Sequence, residues 1–311
     1  MERRDNSFDV VRGLAMLVII SWHVLGVHCV LTDPWIMPVF FFIAGYFWKT
    51  GVPFKGFVMH KVRKLLKPLI YFSIPAFVTI CISACTLQDW RPFIRVLSPY
   101  DSMVAGGWFI PCMMVAYLFY WMLDRFSASI KWRVFMAVVL SVFGYMLDEV
   151  RVLGHSAVLP FYANSALFVM VFVEMGRDFR FLLRNHAGSM PAWIGISSII
   201  FYVLIIYTLG SKPLDMIWCN YQNAYWGVVV MESLCGVLSV LWLCKIAPPR
   251  FSSPIAYVGR QSLGFLLSHG YVIMILSFFV YNNQWLLYAM TVAVTCFFVK
   301  LIDKYVPSVL P

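Results

Sequence analysis

The strongest constraint on this chain is a succession of apolar segments, each about as long as a helix that crosses a lipid bilayer. Such a helix needs about 20 residues, because each residue adds about 1.5 Å and the hydrocarbon layer is about 30 Å thick. Ten segments bounded by charges, Pro or Gly qualify, at residues 8–28, 34–49, 65–87, 107–123, 132–148, 157–176, 191–210, 224–246, 261–281 and 284–302. The second is short and begins among prolines, so it is either tilted or partly re-entrant. The sequence predicts an all-α polytopic membrane protein with about ten transmembrane helices, in which residues 1–311 form a single domain.

The charges agree with this class of protein and orient it. Only 12% of the residues are charged and 62% are hydrophobic, whereas about a quarter of a soluble domain is charged. With ten spans, 20 of the 24 Lys and Arg residues fall on the side of the membrane that also holds both termini. Basic residues collect on the cytoplasmic side, so both termini are predicted to be cytoplasmic. The net charge of +10 therefore records orientation and does not indicate nucleic-acid binding. No cleavage site follows the first apolar run, so we expect that helix to be retained.

Six ionisable residues within the predicted spans are functional candidates, because charge is costly in lipid. They are Asp9, Arg12, His23, Glu174, Glu232 and His269. Asp9 and Arg12 are three positions apart, so they share a helix face and can pair, either as an interfacial anchor or as part of a site. The same spacing predicts an ion pair between Glu174 and Arg177.

Arg12 and His23 are eleven positions apart, which is close to three helical turns. Both side chains therefore point in the same direction, roughly 16 Å apart along the axis. A guanidinium near the inner end can hold a phosphate or another anion. An imidazole further along can take a proton from a hydroxyl. This spacing is a weak signal that gains strength from the residues around it.

Three further groups have both a structural and a functional interpretation. Glu232 and His269 lie mid-span and should face the bundle interior, where they either form a relay or join helices by hydrogen bonds. Lys61 and Lys64 belong to the basic run at 60–67, which suits either anionic lipid heads or the phosphates of a nucleotide-bearing donor. The eight cysteines and six histidines show no metal-binding spacing, so no metal site is predicted.

Five blocks in order resemble the acyltransferase-3 family of membrane O-acyltransferases. The family's first helix carries a basic residue, ten intervening positions and a histidine, which correspond here to Arg12 and His23 within SFDVVRGLAMLVIISWHVLG. The other four blocks are MPVFFFIAGYFWK (37–49), KVRKLLKP (61–68), GGWFIPCMM (106–114) and GRQSLGFLLSHGY (259–271). The resemblance extends from one end of the chain to the other.

The resemblance implies transfer of an acyl group, usually acetyl from cytosolic acetyl-CoA, to a hydroxyl of a carbohydrate or lipid-linked glycan of the cell envelope. It implies a multi-pass protein of a bacterial plasma (inner) membrane, with membrane lipids around it. Acyl-CoA is then a donor substrate, and no permanently bound cofactor is expected. The hydrolase-like domain that many relatives carry is not expected here either.

The family's site residues are carried over position by position. His23 would be the catalytic histidine, and Arg12 would support catalysis and donor binding. We expect His23 to act as a general base; the alternative is that His23 is itself acylated first. Lys61 and Lys64 occupy the positions of a basic pair that handles the CoA phosphates, although the family has Arg at both, and Lys lacks the bidentate geometry of Arg. Trp108 and His269 also match family positions, and together with the intramembrane Asp9 and Glu232 they are possible site-lining residues.

Two other classes of protein remain compatible with this sequence. A transporter or flippase of lipid-linked saccharides would also need many spans and interior charges, but it would be expected to show broken helices and internal symmetry. We find no repeat between the two halves of the chain. A structural membrane subunit would use the buried charges only to join helices.

Overall fold

The protein is a bundle of helices in a computed structural model, which describes residues 6–26, 28–87, 107–127, 129–149, 151–152, 155–156, 159–186, 190–210, 216, 225–280, 282–307 and 309. The helices are α1 (Ser7–Leu25), α2 (Asp33–Tyr46), α3 (Phe54–Lys61), α4 (Lys67–Leu87), α5 (Phe109–Phe126), α6 (Ile130–Glu149), α7 (Ala163–Phe168), α8 (Met170–Asn185), α9 (Ala192–Leu209), α10 (Trp226–Ile246), α11 (Pro249–Arg260), α12 (Ser262–Ser277) and α13 (Gln284–Tyr305). A π turn, Val62–Leu66, joins α3 to α4, and a 3-10 turn, Pro160–Tyr162, precedes α7. Arg151–Val152 pairs with His155–Ser156 in a two-stranded antiparallel ribbon.

Each of the ten predicted segments coincides with helix, but not every one is long enough to cross a bilayer. Seven helices among the described residues have the required length and apolar composition: Ser7–Leu25, Phe54–Ile82, Phe109–Phe126, Ile130–Leu147, Ala192–Leu209, Trp226–Ile246 and Gln284–Tyr305. With 14 residues, α2 extends only about 21 Å, and α12 has 16 residues. The class of multi-pass helical membrane protein follows. The count of ten spans and the cytoplasmic termini stay predictions.

The third predicted segment begins earlier than expected. Helix starts at Phe54 and continues through the π turn into α4, where the Lys67 amide donates to the carbonyl of Val62, five residues back. Pro68 has no amide hydrogen, and its ring would clash with the carbonyl of Lys64 in a regular helix. The wider turn accommodates the proline and lets the helix continue.

The sixth predicted segment is broken. Phe161 and Tyr162 have positive φ angles of 57° and 59°, which lie in the left-handed region and end any right-handed helix. The span expected at 157–176 is therefore replaced by the 3-10 turn, the short α7 and α8. In turn, α8 continues to Asn185, well beyond the predicted end.

A close crossing of α1 and α11 positions the start of α1. Gly13 and Gly259 face each other's helix backbones. A methyl group on Gly259 would lie 1.7 Å from the carbonyl oxygen of Asp9, and one on Gly13 would lie 2.0 Å from that of Ile255. Only glycine permits this approach. Helix α1 also contacts α2, α10, α12 and α13, so Arg12 and His23 belong to a helix in the centre of the bundle.

The apolar side chains divide between the interior and the outer surface. Phe41, Phe42 and Phe265 are fully buried, while Ile200, Phe201 and many other large apolar residues are exposed. A bundle surrounded by hydrocarbon has this distribution, since outward apolar side chains meet lipid rather than water.

Candidate active site

The predicted pair at the start of α1 is present. Arg12 Nη1 lies 3.6 Å from Asp9 Oδ1, with the Asp9 side chain buried and the Arg12 side chain 27% exposed. The Arg12 guanidinium also lies 5.7 Å from the ring centre of Phe47. Asp9 therefore holds a partly accessible guanidinium against an aromatic ring.

Each of the three cations predicted to bind the donor interacts with Tyr117 in α5, one by direct contact and two electrostatically. Lys61 Nζ lies 3.3 Å from the centre of the Tyr117 ring, a close cation–π contact. Arg12 and Lys64 both act electrostatically on the same tyrosine. Lys61 is partly buried and Lys64 is exposed. The sequence did not single out Tyr117, because nothing in its neighbourhood distinguishes it from the other aromatic residues of a span.

At the other end of α1, His23 meets His269 of α12. Their ring centres are 5.1 Å apart, with His23 exposed and His269 fully buried. Nδ1 of His269 lies 2.9 Å from the carbonyl oxygen of Phe265. A carbonyl can only accept, so Nδ1 carries the proton and Nε2 is left as an acceptor. Nε2 is buried and has no hydrogen-bond partner within the described part of the chain.

A second pair, formed by His28 and Asp33, lies near His23 and was not predicted. His28 Nδ1 is 3.2 Å from Asp33 Oδ2, and His28 acts electrostatically on His23. Burial raises the pKa of the Asp33 carboxyl, although the neighbouring His28 opposes this shift. The loop after α1 and the first residue of α2 thus bring an imidazole and a carboxyl group to the end of α1 that carries His23.

The remaining predicted site residues, Glu232 and Trp108, each lie near a tyrosine. Glu232, which is buried, lies within electrostatic range of Tyr202 on α9. Trp108 immediately precedes α5, and its ring centre is 5.8 Å from that of Tyr162. The histidine partner of His269 is His23, so no Glu232–His269 relay is needed to explain the placement of His269.

The predicted pair of Glu174 and Arg177 is wrong. Glu174 instead accepts hydrogen bonds from Arg133 Nε, 2.9 Å away, and from the Tyr120 hydroxyl. Arg177 pairs with Asp124 of α5. Spacing along one helix permits a pair, but here neighbouring helices present closer partners to both groups.

Two cavities adjoin the cluster around Tyr117. The apolar cavity has a volume of about 610 Å³ and lies between Phe54–Leu69 and α5, with Lys61 as its charged lining residue and Tyr162 at its border. The polar cavity has a volume of about 750 Å³ and is lined by Lys49, Thr50, Gly51, Val52, Pro53, Phe54, Trp121, Asp124, Arg125 and Arg177. Phe54 belongs to both linings, so the two cavities are neighbours.

The arrangement defines a membrane protein with cationic groups at one end of a central helix and paired imidazoles at its other end. Such a set can bind an anionic ligand and move a proton. No group of three His, Cys, Asp or Glu side chains suited to a metal ion occurs in the ranges that the structure describes.

The family model described as "Acyltransferase domain", of the acyltransferase-3 family, matches residues 5–302. The chain therefore belongs to the acyltransferase-3 family, and this membership supports a membrane acyltransferase. No curated protein and no solved structure gives a significant match to the chain.

Proposed function

We propose that the protein is a membrane O-acetyltransferase that moves the acetyl group of cytosolic acetyl-CoA to a hydroxyl of a cell-envelope or exported glycan. It would act in the plasma membrane of a bacterium. Family membership supports acyl transfer and favours an enzyme over a transporter or flippase. The acetyl donor, the glycan acceptor and the residue roles that follow are the proposal.

One observation carries this proposal: Lys61 contacts Tyr117, Arg12 and Lys64 act electrostatically on the same tyrosine, and His23 lies on the same helix as Arg12 but at its other end. A CoA thioester is anionic at its nucleotide end and neutral at its reactive end. The cationic cluster would bind the phosphates, because charge-assisted hydrogen bonds to phosphate are strong. The acyl-pantetheine arm would then extend along the bundle toward His23.

In the reaction, His23 acts as the general base. Its neutral imidazole takes the proton of the acceptor hydroxyl while the hydroxyl oxygen attacks the thioester carbonyl. The carbon–sulfur bond breaks and the CoA thiolate leaves, taking up the proton that His23 removed, so an ester and free CoA are formed and His23 is neutral again. The buried Nε2 of His269 can accept a hydrogen bond from the N–H of His23, which would help to orient the imidazole that acts as the base.

The test uses the purified protein and acetyl-CoA labelled in the acetyl group. We expect the wild type to bind and consume the donor, with a His23→Ala variant binding it normally and turning it over at least about a hundredfold more slowly, in line with loss of a general base. His186→Ala is the matched control, since His186 is an exposed histidine at the end of α8.

Two results would contradict the proposal at different points. If the wild type neither binds nor consumes acetyl-CoA, the enzymatic function is wrong. If His23→Ala turns over as fast as His186→Ala, His23 is not the base. Mass spectrometry of envelope glycans from cells with and without the protein identifies the acceptor through the acetyl groups that disappear.

A further inference from the structure

The polar cavity is a charged site that the proposed residue roles leave unused. Lys49, Arg125 and Arg177 line it together with one acidic residue, Asp124. Its volume of about 750 Å³ lies within the range of about 300 to 1,000 Å³ that is typical of small-molecule sites. The cavity therefore has the size and the charged groups needed for a ligand.

The charges in this cavity are not balanced. Asp124 is already engaged, because it pairs with Arg177 and its Oδ2 accepts a hydrogen bond of 3.0 Å from the Trp48 indole. Lys49 and Arg125 are exposed, and neither has an ion pair within the described part of the chain. Two cations are thus available to an anion that enters the cavity.

An aromatic wall stands beside these cations. The rings of Phe54 and Trp121 have their centres 4.9 Å apart, and the Trp121 indole donates a 3.1 Å hydrogen bond to the Val52 carbonyl, which holds it in place. Phe54 also lines the apolar cavity that contains Lys61. A ligand with an anionic aromatic end and a long flexible arm fits this sequence of surfaces.

We propose that the polar cavity binds the 3′-phosphoadenosine end of the CoA donor. Lys49 and Arg125 contact the 3′-phosphate and the adenine lies against Trp121. The ligand then passes Phe54, its pyrophosphate faces Lys61 and Lys64, and the pantetheine arm extends through the apolar cavity toward His23. This inference rests on the proposed function and adds a nucleotide subsite to it.

The experiment compares CoA with 3′-dephospho-CoA, which lacks only the phosphate in question. Titration calorimetry of the full chain in neutral detergent should show about tenfold tighter binding of CoA to the wild type, as expected for charge-assisted hydrogen bonds. Lys49→Met and Arg125→Met should each reduce this preference, and the double variant should bind both ligands equally, with the affinity for 3′-dephospho-CoA unchanged. Lys304→Met is the control, since it removes a cation that does not line the cavity, and it should keep the preference.

The outcomes separate this inference from the proposed function. If the wild type binds neither ligand, the proposed function fails and the subsite fails with it. If CoA binds but shows no preference, or if the double variant keeps the full preference, the subsite is wrong while the donor remains correct.

Anionic lipid is the other source of phosphate at this face, and nanodiscs distinguish it. In nanodiscs of neutral lipid the preference for CoA should persist. If added phosphatidylglycerol abolishes the preference in the wild type, and the Lys49 and Arg125 variants bind this lipid less while binding CoA as before, the cavity is a lipid site and the inference is overturned.

Discussion

Replacing Gly259 by Ala should destabilise the protein and disturb the donor site through one backbone contact. The added methyl group would lie 1.7 Å from the Asp9 carbonyl oxygen, whereas ordinary contact begins at 3.4 Å. Helices α1 and α11 would have to separate by about 1.7 Å at this point. Overpacking of this kind costs about 1 to 3 kcal/mol. For a chain of 311 residues this corresponds to a fall in the unfolding midpoint of roughly 1.5 to 5 °C.

The assay is thermal unfolding of the purified protein in detergent, followed by the fluorescence of its 12 tryptophans. Gly227→Ala is the matched control, because nothing lies within 4 Å of the position of its methyl group. That substitution should leave the midpoint unchanged or raise it slightly, since alanine favours helix. Binding of acetyl-CoA should weaken in Gly259→Ala but not in Gly227→Ala, because Asp9 holds Arg12.

One result would refute this reasoning. If Gly259→Ala unfolds at the same temperature as Gly227→Ala and binds the donor like the wild type, the two helices do not cross at this distance. If Gly259→Ala loses stability but binds the donor normally, the close crossing is supported, and its proposed effect on Arg12 is wrong.

The other predictions concern charges and the tyrosine of the site. Arg133→Met should lower the free energy of unfolding by about 3 to 5 kcal/mol, because it leaves the buried Glu174 carboxylate without its cationic partner. In chemical denaturation, adding Glu174→Gln should restore part of the loss. If the effects of the two substitutions simply add, the pairing is contradicted. Tyr117→Leu should weaken donor binding by about 2- to 30-fold through loss of the cation–π contact with Lys61, whereas Tyr117→Phe should keep most of the affinity; equal losses would disprove that role of the ring. Arg12→Ala should weaken donor binding more than it lowers the unfolding midpoint, and normal CoA binding with reduced expression would instead make Arg12 an anchor.

Local pattern predicted α1 well because a single helix has a known geometry. The predicted segment 8–28 corresponds to Ser7–Leu25, and a continuous helix puts Arg12 and His23 on one side of it. The pair of Asp9 and Arg12 followed from the same geometry. Local pattern did not predict the helix that extends through Lys61 or the break at Phe161. A π turn and left-handed residues depend on how the chain packs around them.

The partners of the buried groups depended on the packing of helices that are distant in sequence. Spacing suggested Glu174 with Arg177, yet each group found its partner on another helix. His269 was recognised as a candidate, but only the packing of α12 against α1 brings it to His23. No pattern along the chain records which helix lies beside which.

The sequence alone predicted the membrane class, the positions of the apolar helices and the candidates Arg12, His23, Lys61 and Lys64. It could do so because lipid imposes length and polarity on each span separately. Only the packing of the helices places Lys61 against Tyr117, His269 beside His23, and Lys49 and Arg125 in the lining of one cavity. These are contacts between helices far apart in the chain, and the free energy that selects them comes from packing and from pairing buried charges.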